Sequence, residues 1–322
     1  MGLFKGNFRQ GVFLCLMVLS AQGLCAAGQK KESVALSRYI MAVMYDDLGQ
    51  IDQAIQQYKK ALWLDSRNNI VRLNLAVAYL KKGQVEQAVK ELNTAAKIEP
   101  DAVEPHAVLA VLFSLQNKPD QANREYEISL KNAAKANPQN IDIYRNLGQL
   151  YTGEKKFDAA IEAFGIVLAL SPQDSTAHFY LANLYELKGE KEKAEAQLKK
   201  ALELKPDYHE ALNYLGFFYA QENKNLDQAE ALVKKALEFA PENGAYLDSL
   251  GWVYFKKGKN RQALEILQRA AVLIEDPVVF EHLGDAYIKA GDKENAKISW
   301  EKSLKLDPQQ DSVKEKLKDA LH

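Results

Sequence analysis

The chain has 322 residues, 47% hydrophobic and 26% charged, with 42 Lys and Arg against 43 Asp and Glu for a formal net charge of −1. Balanced charge excludes a global field that would draw it onto nucleic acid or an anionic membrane. The apolar fraction is too high for a disordered chain and too mixed with charge for a membrane bundle, and length alone suits two ordinary domains.

The first 27 residues differ from the rest. Lys5 and Arg9 precede an apolar run, Gly11 to Ala21, and small residues follow up to Gly28. A positive start, a short apolar centre and a small-residue end make a secretory signal peptide over residues 1–27, cleaved near Ala26 or Ala27. The apolar run is about half the length needed to span a bilayer. Both cysteines, Cys15 and Cys25, lie in this leader. Cleavage therefore leaves no thiol for a disulfide, a nucleophile or a metal. A lipid anchor at Cys25 is the weaker alternative, because Leu24 stands where lipoprotein processing wants a small residue. The expected location is exported, periplasmic or associated with an outer membrane. Residues 28–34 are read as a short linker.

From residue 35 the sequence repeats. "YDDLGQIDQAIQQYKKALWLD" from Tyr45 and "YLKKGQVEQAVKELNTAAKIEP" from Tyr79 place Tyr, Gly and Ala 34 residues apart, and further copies start at Tyr185, Tyr254 and Tyr287. Each unit holds two apolar stripes of helical period, a polar turn between them, and in most units a closing proline such as Pro100, Pro172 or Pro206. The expected units are 35–68, 69–102, 103–140, 141–174, 175–208, 209–243, 244–276 and 277–310. The third runs long in "LKNAAKANP", which predicts an extended helix. The sixth gains a residue in "QENKNLDQA", and the seventh carries Glu275 in place of its proline. The tail 311–322 is a charged amphipathic segment suited to capping the stack.

This pattern resembles the tetratricopeptide repeat family. One helix pair cannot bury its own apolar face, so such units stack into a solenoid with a continuous core. The resemblance implies an all-α, right-handed solenoid of about eight helix-turn-helix repeats with a C-terminal capping helix. Residues 209–308 also resemble, more faintly, repeats of bacterial envelope lipoproteins, one group of which presents cell-wall hydrolases to a periplasmic processing protease.

No residues suggest catalysis. The five histidines make no metal-ligand spacing with one another, and there is no phosphate loop or nucleophile turn. His106 and His178 are expected to be half-buried packing residues. No catalytic residue, cofactor or metal is expected, and the chain is read as a non-enzyme.

Recognition remains, and the resemblance implies a concave groove lined by the first helix of each unit. Positions 2, 5, 9 and 12 of the unit share one helical face. They give a first, apolar zone of Tyr39, Val43, Leu73, Val77, Leu80 and Val111, for which sealing that end or pairing two copies of the chain are the alternatives. A middle zone holds Arg145, Gln149, Phe179, Asn183 and Asn213. A last zone gathers Phe217, Trp252, Phe255 and Ile288, rimmed by Asp248, Glu281 and Asp285. Leu247, Leu250, Gly251 and Tyr254 fill the packing positions of their helix, so Trp252 is assigned to the groove, with its cover left open between a partner and the chain's own tail. Arg145 and Gln149 imitate part of a carboxylate clamp found in the family, but Tyr180, Glu210 and Tyr214 stand where its other members belong.

The expected function is a non-catalytic exported adaptor that holds a protein or peptide segment in its groove, for example to present substrates to a periplasmic protease. The alternative is an assembly factor for a secretion or pilus machine, working through its convex face. Nucleic acid and a membrane span are not expected; Trp252→Ala is expected to weaken binding by about 2 kcal/mol with little change in melting.

Overall fold

The computed structural model describes residues 29–320. The leader, its two cysteines and the expected cleavage site lie outside the described residues; residues 29–34, expected as a linker, are instead the first turns of α1. All regular structure among the described residues is helical. In chain order the helices are α1 (29–47), α2 (Ile51–Leu64), α3 (Asn69–Lys81), α4 (Val85–Ile98), α5 (Glu104–Leu115), α6 (Pro119–Ala136) and α7 (Ile141–Gly153). There follow α8 (Phe157–Leu170), α9 (Ser175–Leu187), α10 (Lys191–Leu204), α11 (His209–Gln221), α12 (Leu226–Phe239), α13 (Gly244–Lys256), α14 (Asn260–Leu273), α15 (Pro277–Lys289), α16 (Lys293–Leu306) and α17 (Asp311–Ala320). They form two compact units, Met1–Leu150 and Tyr151–His322, divided within α7.

Local chemistry explains the hairpins. Several first helices start on a side-chain cap: Asn68 accepts from the Val71 N–H at 3.1 Å, Asp174 from Ala177 at 2.9 Å and Asp276 from Val278 at 2.8 Å. The turn between the two helices of a pair needs a left-handed residue. Gly258 supplies it at φ 71°, and its N–H closes on the Phe255 carbonyl at 3.0 Å. Where the glycine is missing, Asn117 and Lys155 adopt the same conformation, and the longer sixth turn uses both Asn223 and Asn225. Helix α6 runs 18 residues where α4 and α8 run 14, which is the extension expected from "LKNAAKANP".

In the first unit the core gathers Tyr58, Leu75, Leu92 and Leu109 around the buried alanines Ala54, Ala76 and Ala88. In the second, Leu198, Leu215, Phe218, Tyr219, Val233 and Val253 do the same around Ala201, Ala229 and Ala263. These alanines let the helices of a pair approach closely. Gly251 and Gly284 go further. A Cβ on Gly251 would lie 2.5 Å from Leu267 Cγ, and one on Gly284 would lie 2.4 Å from Trp300 Cδ1. Helix α17 closes the second unit by burying Val313 against Ala296 and Trp300 of α16. Burial of such side chains contributes roughly 1.5–3 kcal/mol each and offsets the ordering entropy of the chain.

Candidate functional site

The second unit brings α11, α13 and α15 side by side as the first helices of three successive pairs. Their shared face carries the last zone expected from the sequence. The Trp252 ring stacks on Phe255, one helical turn on, at 4.8 Å between centroids and 5° between planes. It also stacks on His282 of α15 at 4.0 Å and 14°. Phe217 of α11 stands 6.1 Å from the same imidazole. His282 is thus the residue that gathers the aromatic zone. The ammonium of Lys256 sits 4.8 Å from the centre of the Trp252 ring, a cation–π arrangement. Ile288 is exposed at the far end of α15.

Two expectations are corrected here. Asp248 is not a rim residue: it is 6% exposed, and both its carboxylate oxygens accept from Nδ1 of His282, at 2.9 and 3.1 Å. A carboxylate cannot be buried without a donor, and the neighbouring helix supplies one. Asp285, like Glu281, does not offer a free charge. Lys316 of α17 reaches both at 2.7 Å, and the Trp300 indole N–H donates to Asp285 at 3.1 Å. The chain's own tail therefore satisfies the acidic rim. Trp252 itself is only half-buried, and it shares a cleft of about 350 Å³ with Gln221, Lys256, Val278, His282 and Lys316. Its indole N–H is buried and meets no acceptor among the described residues. Because Trp252 packs on His282 and Phe255, it also contributes to holding α15 on α13, and little change in melting is no longer the expectation for its removal.

The middle zone is divided. Arg145 and Gln149 belong to the first unit, where the Arg145 guanidinium pairs with Asp142. Phe179, Asn183 and Asn213 belong to the second, all half-buried, with Phe179 packed edge-on against Tyr214 at 5.8 Å. The clamp-breaking Tyr214 donates its hydroxyl to Glu186. Burial pushes the Glu186 carboxyl above its ordinary range, and the charge of Glu222 adds to this.

In the first unit Tyr39, Val43, Leu73 and Leu80 are partly buried against the core, and Val77 is half-buried. The Asn74 amide donates to the Tyr39 hydroxyl at 3.0 Å. Val111, at 59% exposure, stands apart from them as an open side chain. His106 and His178 are buried, with Nδ1 of each 2.6 Å from Glu125 and Gln197 respectively.

Sequence reading missed His282 as an organising residue. The signal was present: Asp248 and His282 are 34 residues apart, one full repeat. Among the described residues no group of three or more His, Cys, Asp or Glu is arranged to hold a metal, and no helix is long and apolar enough to cross a membrane.

Stacked helical hairpins with an aromatic face on their first helices define a repeat scaffold for protein interaction. Tetratricopeptide repeat models match residues 47–112, then 109–164, 146–209 and 189–244, and finally 279–310, and the chain belongs to the tetratricopeptide repeat family. It is similar to the mouse BBSome complex member BBS4, 32% identical over 128 residues, covering 40% of this chain and 24% of that protein. It is also similar to the human protein O-mannosyl-transferase TMTC1, 28% identical over 167 residues, covering 52% of this chain and 19% of that one. The chain thus spans about a quarter or less of the length of these relatives. Among solved structures, a tetratricopeptide repeat protein from Parabacteroides merdae superposes with a TM-score of 0.59 at 21% identity, over 79% of this chain and 99% of that one. The Cut9–Hcn1 tetramer of the APC/C gives 0.54 at 17%, over 89% and 69%. At these identities the likeness concerns the fold.

Proposed function

We propose that the protein is a non-catalytic adaptor whose second unit holds a segment of a partner protein along α11, α13 and α15. The observation that carries this is the stack of half-buried Trp252 and Phe255 on buried His282 at the mouth of the 350 Å³ cleft. Aromatic rings held rigid by neighbours offer large contact area at small entropic cost, and central tryptophans are the commonest anchors of protein interfaces. The acidic rim is already paired, whereas Lys256 makes no ion pair among the described residues. The segment therefore presents an apolar side chain to the indole and a carboxylate or carbonyl group to Lys256.

The setting of this adaptor is the envelope of a bacterium, reached through the leader, with presentation of substrates to a processing protease as the role suggested by the faint lipoprotein resemblance. Mass spectrometry of exported protein is expected to find Ala27 or Gly28 at the N-terminus; acylated Cys25 would overturn that part.

Photo-crosslinking in cells tests the binding face. A crosslinker at Gln221, on the cleft wall, is expected to capture a partner, and Trp252→Ala or Lys256→Glu is expected to cut the yield at least about tenfold. Capture equally strong from the fully exposed Trp63 on the second helix of the first pair, and indifferent to Trp252→Ala, would favour assembly through the convex face instead.

A further inference from the structure

The outer face of α1 presents a row of exposed side chains. Lys30, Ser33, Ser37, Ile40, Met44 and Asp47 are all exposed, and their spacing of 3, 4, 3, 4 and 3 residues sets them in one seam along the helix. Ile40 and Met44 are 51% and 58% exposed, and Leu36 beside them is 58% exposed. No described helix packs over this seam, although α17 covers the other end of the chain with a charged outer surface. An interior hairpin has neighbours on both sides; among the described residues this one has a neighbour on one side only.

We propose that the seam pairs with the same seam of a second copy, the two α1 helices running antiparallel about a two-fold axis. The sequence of the seam is its own complement. Read in opposite directions, Lys30 falls opposite Asp47, Ser33 opposite Met44 and Ser37 opposite Ile40. Each large apolar side chain meets a serine small enough to let the backbones close, and each end joins a cation to an anion. Neither Lys30 nor Asp47 has an ion pair among the described residues, so both are available. The Lys30–Asp47 span is about 26 Å at the helical rise. A cleft of about 440 Å³ opens along the edge of the seam, walled by Ser33, Leu36, Tyr39 and Ile70. Met44 of the second copy lies opposite Ser33, at its margin, where a flexible thioether fills an irregular gap well. A parallel pairing would set Lys30 on Lys30 and Asp47 on Asp47. One helix pair is at the small end of stable interfaces, so the dimer is reversible, with a Kd on the order of 10 µM.

Sedimentation equilibrium of the full chain from low to high micromolar concentration is expected to show monomer and dimer in exchange. Ile40→Glu is expected to give monomer with unchanged circular dichroism. Lys30→Glu and Asp47→Lys are each expected to weaken the dimer at least about tenfold, since each sets like charges opposite at both ends. Mixing those two variants is expected to restore a heterodimer of near wild-type strength, because every end contact is again attractive. A wild-type chain that stays monomeric, a dimer that survives Ile40→Glu, or a mixture no tighter than its components would overturn the proposal.

Discussion

Removal of His282 is expected to be among the costliest polar substitutions in the second unit. The side chain of Asp248 is 8% exposed and both its oxygens rest on one imidazole nitrogen. His282→Ala strands that carboxylate, and a buried charge left without its partner costs about 3–5 kcal/mol. The lost stack on Trp252 adds about 0.5–1.5 kcal/mol. Against this, removing the imidazole that lines the adjoining cleft opens a way for water to the carboxylate, so a total of about 3–4 kcal/mol is expected. Asp248→Asn keeps an acceptor for the ring N–H and costs about 1 kcal/mol. In the double variant no charge is stranded, so the two costs fail to add, with a coupling of at least about 1.5 kcal/mol. Urea unfolding followed by far-ultraviolet circular dichroism measures all four corners of this cycle. A coupling below about 0.5 kcal/mol would refute the view that this contact fastens α15 to α13.

Other substitutions separate packing from charge. Gly284→Ala drives a methyl into the Trp300 indole and is expected to destabilise by about 1–3 kcal/mol in thermal melts. Gly165→Ala, inside α8 with nothing within 4 Å of the new methyl, is expected to stabilise by about 0.5–1 kcal/mol. Two carboxylates contribute to stability in acid. Lys199 and then Lys224 hold Glu195 down to about 2, and at Glu230 burial is outweighed by Lys234, Lys257 and Lys259, again to about 2. Both pKa values are depressed on folding, so their stabilisation is present above the ordinary value of 4.5 and is lost as pH falls from there towards 2. A loss on the order of 1 kcal/mol per group, reduced by salt, is expected in urea midpoints across that range. Lys316→Ala leaves Glu281 and Asp285 without their ion pair to α17 and is expected to speed amide exchange in Val313 and its neighbours; unchanged exchange would show that Val313 alone holds the tail.

The fold was legible because it is written in local chemistry repeated many times. Apolar period, turn residue, cap and closing proline each point to a helical hairpin, and the recurrence of Ala54, Ala88, Ala229 and Ala263 shows where pairs of helices touch. Even the long α6 was visible as extra residues. The site was legible only in part. Position along the unit placed Trp252, Phe255 and Phe217 on one face, because that face follows from helical geometry alone. What covers a face depends on the next helix, and helical geometry within one unit does not contain it. Asp248 looked exposed when its own helix was considered, and it is buried because His282 of the following pair closes on it. Asp285 looked like a rim charge, and α17 brings Lys316 to it.

These corrections change the chemistry expected of a partner. An open rim of Asp248, Glu281 and Asp285 would select a basic segment and would make binding strongly sensitive to salt. With one acid held by His282 and two by Lys316, a basic segment would first have to displace Lys316 from two contacts of 2.7 Å. That exchange replaces like with like and offers little net gain. The cation over the indole is in a different position. Lys256 is held near Trp252 by the ring's quadrupole and has no carboxylate partner among the described residues, so a partner's carboxylate or carbonyl adds an interaction without breaking one. For the proposed segment the aromatic stack would supply the affinity and Lys256 the direction, which is why Lys256→Glu separates a segment docked in this cleft from one merely resting on the apolar face.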